Sequence, residues 1–133
     1  MRVVFDTNIF ISALIFSGGN AEDAMMRIID GKDTLVISHE IIDEVLAVLA
    51  RKFSRDAEAL SRVAVNLASI GELVSSAERL NILDDKADNR ILECAVAGNA
   101  EAIVTGDKAM LMLKKHRNVR IITLSEFLRK GER

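Results

Sequence analysis

The sequence predicts an α/β fold, a three-layer α/β/α sandwich around a central parallel sheet of about five strands with Rossmann-like connections. Three observations predict it. Short β-branched apolar runs recur along the chain, longer segments of helical periodicity separate them, and the apolar runs lack polar alternation. Strands without alternation suit a parallel sheet covered on both faces. Strands that alternate with helices imply right-handed crossovers.

Taken in order, "RVVF" (2–5) is the first strand and 8–15 the first helix, closed by Gly18-Gly19. A second helix over 21–30 ends at Gly31, and "TLVIS" (34–38) is the next strand. Helices over 39–52 and 56–69 precede a weaker strand, "GELVS" (71–75). The helix over 87–98 stops at Gly98, "EAIVT" (101–105) is a further strand, and Gly106 interrupts the chain after it. A helix over 107–115 leads to "VRIIT" (119–123), and Ser125 with Glu126 starts a last helix over 125–130 as an N-cap. The chain has no proline, no low-complexity segment and no internal repeat.

The length suits one domain over 1–133, large enough to bury roughly two thirds of its unfolded surface. Half the residues are apolar and 29% are charged, which describes a globular chain and not a disordered one. A net charge of −2 and a pI near 5.7 argue against a general electrostatic nucleic-acid binder. A polyanionic substrate would therefore need a local basic patch or bound cations. The single cysteine, Cys94, excludes a disulfide framework and fits a reducing compartment. Arg2 and the apolar stretch to Phe16 faintly suggest a signal peptide, but Asp6 and Asn8 interrupt it. No run approaches the ~18 apolar residues of a membrane span. The expected location is cytoplasmic, with no membrane partner.

Asp6 follows the first strand directly, and Asp107 follows "IVT" through Gly106. Both fall at the carboxyl edge of the sheet, where open α/β folds bind ligands. Helical phase adds two more acids. In 87–98 the apolar arc is Ile91, Leu92, Ala95 and Val96; Asp88 falls inside it, while Arg90 and Glu93 point away. In 39–52 Glu44 lies at the arc's edge beside Val48. The alternative for each is a helix cap or a first-turn charge favourable to the dipole. That suits Asp107 and Asp88 and covers Asp6, but not the mid-helix Glu44. Asp84 and Asp85 read as cap or loop residues.

Four acids that converge cannot remain bare anions. Two unit charges ~4 Å apart repel by about 4 kcal/mol at an effective dielectric of ~20. Either some are protonated or a divalent cation neutralises them. Oxygen ligands without histidine or cysteine favour Mg²⁺ or Mn²⁺ over zinc. Such ions keep waters and bind phosphate oxygens, which points to phosphodiester hydrolysis by a metal-activated water.

"VVFDTNIFISAL" (3–14), "SHEIIDEVLAVL" (38–49), "DDKADNRILECAVAGNAEAIVTGDKAML" (84–111) and "IITLSEFL" (121–128) resemble the PIN-domain ribonucleases. Within that family the pattern is similar to the VapC-like toxin components of toxin–antitoxin pairs. The resemblance runs in order along nearly the whole chain. It implies a Rossmann-like PIN fold and cleavage of single-stranded RNA dependent on Mg²⁺ or Mn²⁺. It carries the family's four acids onto Asp6, Glu44, Asp88 and Asp107, the same four reached by position and phase. It matches Asn8 to a residue that orients Asp6 or a water, and Thr105 to a hydroxyl near the fourth acid. For Thr105, a strand-end hydroxyl bonding backbone is the alternative. His39 stands where proline is common, and Ala109 where many relatives carry a further acid, which puts a second, weaker metal position in doubt. A homodimer and an antitoxin partner are also implied, and the generous apolar content fits surface buried between two copies.

Other residues suggest less. His39 opens a helix and reads as a solvated helix end, with a phosphate contact as the alternative. His116 in "KKHRN" reads as the cationic end of a helix. That cluster and "RKFSR" (51–55) are charge runs, ordinarily solvated, which could guide RNA. Cys94 and "MLML" read as packing. There is no Trp or Tyr, so base recognition by stacking finds no platform. The alternatives to a ribonuclease are another metal-dependent phosphohydrolase, a DNA nuclease, or a non-catalytic module that binds RNA or protein.

Overall fold

Val3, Val4 and Phe5 are wholly buried, so the strand they form, β1 (Arg2–Phe5), needs cover on both faces. It receives that cover by lying in the middle of a sheet. The computed structural model describes residues 1–130. After β1 the chain forms α1 (Thr7–Ile15), α2 (Asn20–Ile29), β2 (Thr34–Ile37), α3 (His39–Phe53), α4 (Ala57–Ile70) and β3 (Glu72–Leu73). It continues through α5 (Lys86–Ala97), β4 (Ala102–Val104), α6 (Lys108–Leu113), β5 (Lys115–His116), β6 (Val119–Ile122) and α7 (Leu124–Lys130). The sheet order is β3-β2-β1-β4-β6-β5. Every neighbouring pair is parallel except β5–β6.

The five expected strands are the parallel set. The sheet is nevertheless mixed and six-stranded, because the expected helix over 107–115 ends early, at Leu113. Lys114 takes a left-handed φ of 61° and reverses the chain. Lys115 and His116 then pair antiparallel with Val119 and Arg120. The two-residue turn between them is made possible by a φ of 54° at Arg117. His116 is thus an edge-strand residue and not the cationic end of a helix. The last helix also begins differently. Thr123, not Ser125, caps α7: its hydroxyl accepts from the Glu126 N–H, and Glu126 Oε1 accepts from the Thr123 N–H, each at 3.2 Å. This is a reciprocal capping box.

The helices complete one continuous apolar core. Phe5 packs on Phe10 of α1 and Phe127 of α7, with ring centroids 5.8 and 5.6 Å apart. Helix α5 lies across β1, β2 and β4 and ends at Gly98. A Cβ at Gly98 would stand 2.2 Å from Val36 Cγ1, so only glycine lets the helix end approach β2 this closely. The strand order reverses beside β1, since the chain goes first to β2 and β3 and later to β4 and β6 on the other side. Such a switch point opens a crevice beyond the carboxyl ends of the strands, here β1 and β4.

Candidate active site

The residues just after β1 and β4 are Asp6 and, two past Thr105, Asp107. Each caps a helix: Asp6 Oδ1 accepts from the Ile9 N–H at 3.2 Å, and Asp107 Oδ1 from the Met110 N–H at 3.0 Å. The cap reading of both acids is therefore correct as far as one oxygen goes. The buried Thr105 hydroxyl joins the two. It accepts from the Asp107 N–H at 3.0 Å and donates to Asp6 Oδ2. Capping and site-building are the same act here, because a strand that ends in the crevice must start its next helix there.

Asp88, in the first turn of α5, and Glu44, in the middle of α3, are half-buried and complete the group. All four acids line one pocket of about 170 Å³, with Asn8 and Asp85 also on its wall. A cavity of about 540 Å³ elsewhere holds Glu101 as its one acid, so size does not mark the site.

The carboxyls feel their confinement. Burial pushes the Asp6 carboxyl up from its ordinary value, and the Asp107 charge adds to this; the Thr105 hydroxyl and the Ile9 and Asn8 N–H groups oppose it. Asp88 is pushed up to about 6, first by burial and then by Asp107, Asp85 and Asp6. Glu44 is not among the charges that shift either group. It lines the same pocket from the middle of α3.

A family model described as PIN domain matches residues 2–109, which include all four acids. The chain belongs to the PIN domain family. It is 28% identical over 118 residues to an uncharacterized protein of Methanocaldococcus jannaschii, covering 86% of this chain and 76% of that protein. Its fold matches a chain in the crystal structure of VapBC2 from Rickettsia felis bound to a DNA fragment from their promoter. The TM-score is 0.64 at 17% identity, with 92% of this chain and 98% of that one covered. It likewise matches a chain of VapBC-1 from nontypeable Haemophilus influenzae, with a TM-score of 0.62 at 17% identity, covering 94% and 99%. The fold of this PIN domain is thus the one found in VapBC assemblies.

Members of this family are generally nucleases that use divalent metals. The donor set of this PIN domain is carboxylate oxygen alone, which suits a hard cation. Among the described residues, no three His, Cys, Asp or Glu side chains are grouped tightly enough to hold an ion unaided. Mg²⁺ does not demand such a cage, since it keeps several waters and binds through one or two carboxylates. Burial raises Asp88 first, and the repulsion from Asp107, Asp85 and Asp6 that adds to it is what a cation in the pocket would relieve, so donors and electrostatics both fit.

Three pocket residues carried little signal in the sequence. Arg51 and Lys52 read as part of a charge run, yet both line the acidic pocket from the last turn of α3. Asp85 read as a cap, which it is, accepting from the Ala87 N–H at 2.8 Å, and it also borders the site. His39 is exposed and does not line the pocket.

Proposed function

We propose that this PIN domain protein is an Mg²⁺- or Mn²⁺-dependent endoribonuclease that cleaves single-stranded RNA, and that it acts as the toxin of a toxin–antitoxin pair. The convergence of Asp6, Glu44, Asp88 and Asp107, from four separate elements, on one small pocket carries the reading. The domain spans 1–133. Among the described residues no helix is long and apolar enough to cross a membrane, which accords with work in the cytoplasm. Likeness to chains of VapBC assemblies supports an antitoxin partner. Exposed Phe16, Val65 and Met112, at 64%, 67% and 81%, offer apolar surface for a partner or for a second copy in a homodimer.

Asp6, Glu44, Asp88 and Asp107 would hold the cation between them, one or two directly and the others through its waters. When bound, it supplies charge neutralisation for the phosphodiester and a more acidic water. The protein's own contribution is position. Thr105 fixes one oxygen of Asp6 and the α1 N-terminus fixes the other, so this carboxylate cannot swing away from the pocket. The same hydroxyl holds the Asp107 backbone, which sets the distance between the two acids. Asn8, exposed at the rim, presents an amide that can orient Asp6 or the attacking water.

The test compares a labelled single-stranded RNA, the matching DNA and a small phosphomonoester, each with Mg²⁺, with Mn²⁺ and with EDTA. RNA cleavage should appear with either metal and vanish in EDTA. Asp107→Asn should lower it by on the order of 10²-fold or more, since it weakens stabilisation of the transition-state charge. Preferential turnover of the phosphomonoester would move the protein to another class of hydrolase. Metal-independent RNA cleavage would remove the mechanism.

A further inference from the structure

The pocket has a problem as a polyanion site. Its wall carries Asp6, Glu44, Asp85, Asp88 and Asp107, and the whole chain has a net charge of −2. A phosphate backbone approaching from an arbitrary side meets carboxyls. One side differs. Arg51 and Lys52, at the end of α3, are the two cations on the pocket wall.

Their geometry is fixed. Glu44, Val48 and Arg51–Lys52 follow one another along a single helix face, so the cations stand about 10 Å along the axis from Glu44. The helix ends immediately after them in a firm stop, with Ser54 left-handed at φ 52° and the Arg55 N–H donating to the Leu49 carbonyl at 3.3 Å. Arg51 and Lys52 are exposed and, among the described residues, form no ion pair, although they border five acids. Six arginines, Arg2, Arg27, Arg62, Arg79, Arg90 and Arg117, are paired with carboxylates, while among the described residues Arg55, Arg120, Arg129 and the other lysines are not. Arg51 and Lys52 differ from these other unpaired cations in lining the acidic pocket. A cation at a helix C-terminus also suits the dipole, but the dipole does not require both to face the pocket.

Resting on the ribonuclease reading above, we propose that Arg51 and Lys52 form the phosphate ledge of the site: the single-stranded RNA crosses the last turn of α3, and these two side chains hold phosphates flanking the one at the acids. They are positioning residues that set the side from which the strand enters. The contact is to backbone, so it carries no base preference.

The test measures binding of a labelled single-stranded RNA by anisotropy across a KCl series, with Mg²⁺ present, in the slow-cleaving Asp107→Asn background and on a timescale short of its residual cleavage. Each phosphate contact contributes roughly 0.7 to the slope of log affinity against log salt on a single strand. Arg51→Ala/Lys52→Ala should therefore flatten the slope by about 1.4 and weaken binding on the order of tenfold at low salt. The swap Arg51→Lys/Lys52→Arg keeps both charges and should keep the slope, whereas a merely structural loss at the helix end in the alanine variant would lower affinity without flattening the slope. If the double alanine variant does not fold, Lys52→Ala alone should flatten the slope by about 0.7. Unchanged slope and affinity in these variants, while the wild type cleaves RNA, would overturn the ledge alone. A wild type that neither binds nor cleaves RNA would remove the ledge and the ribonuclease reading together.

Discussion

Helix α5 carries two acids five residues apart whose circumstances are opposite. Asp88 looks into the acidic pocket, where its neighbours are Asp107, Asp85 and Asp6 and its carboxyl is pushed up to about 6. Glu93 is more deeply buried, 2% exposed, yet fully partnered. It accepts from the Leu80 N–H at 2.7 Å and from Arg79 at 3.1 Å, and lies 3.2 Å from Arg90. One turn earlier on the same face, Asn89 accepts from the Ile82 and Leu83 N–H groups and donates to the Leu83 carbonyl. Asn89 and Glu93 fasten the long connection between β3 and α5, while Asp88 is left among like charges. Burial alone does not separate a structural acid from a functional one. The company it keeps does, because a satisfied charge stabilises and a crowded one stores repulsion.

The largest expected effect breaks that comparison at its satisfied end. Glu93→Ala leaves the Leu80 N–H without its acceptor and the half-buried Arg90 without its carboxylate partner, though Arg90 keeps its bond to the Leu80 carbonyl. Together these losses cost about 3 kcal/mol and lower Tm by roughly 10 °C. Asp88→Asn, in the same helix, should not lower Tm at neutral pH in EDTA. Differential scanning calorimetry on the two variants decides it. Equal destabilisation by both would mean that the two acids do the same job.

The contrast also shows which parts were legible in the sequence. Asp6 and Asp107 were readable because strand ends are readable, and Asp88 and Glu44 because helical phase is. Glu93 was not. Its place outside the apolar arc predicted solvent, and the partners that bury it come from 79–83, a segment with no periodicity to place it. The β5–β6 hairpin was hidden for a related reason: its turn is Arg117-Asn118, with no glycine to announce a positive φ, inside a basic run that imitates a helix end. Thr123 lost the N-cap to Ser125 because both are followed by a glutamate within reach, and only the backbone decides between them. Arg51 and Lys52 looked like any cationic last turn until α3 was set against the crevice. Local chemistry could be read; partners distant in the chain could not.

A smaller effect tests whether the two ends of α5 are independent. Gly98→Ala drives a Cβ into Val36, a wholly buried and β-branched side chain with little freedom to yield. The strain should cost about 1–3 kcal/mol in urea unfolding. Asp88 lies roughly 15 Å up the helix from Gly98. The double variant Gly98→Ala/Asp88→Asn should therefore show the sum of the single effects to within about 0.5 kcal/mol. A larger coupling would mean that α5 shifts as a rod and carries the acid pocket with it.

The smallest effect is the pH dependence of the crowded end, and its sign is fixed. A carboxyl raised from 3.8 to about 6 binds more proton in the folded than in the unfolded chain between those values. Stability from this group therefore falls as pH rises through that interval, and the loss is complete above about pH 6. The dipole at the α5 N-terminus opposes this by about 0.3–1 kcal/mol, favouring the charged form; burial and three neighbouring acids outweigh it. Asp6, raised in the same direction, adds to the trend. In EDTA, Asp88→Asn should melt above wild type near pH 7.5, and the difference should shrink toward about pH 4 as the wild-type carboxyl takes up its proton. Mg²⁺ should do what the proton does. It should raise the wild-type Tm more near pH 7.5 than near about pH 5, where protons compete for the same oxygens. The Glu93→Ala protein keeps the crowded acids and should retain this metal response on its lower baseline. A wild type more stable than Asp88→Asn at neutral pH without metal would show that the pocket satisfies its acids after all, and the difference between the two ends of α5 would disappear.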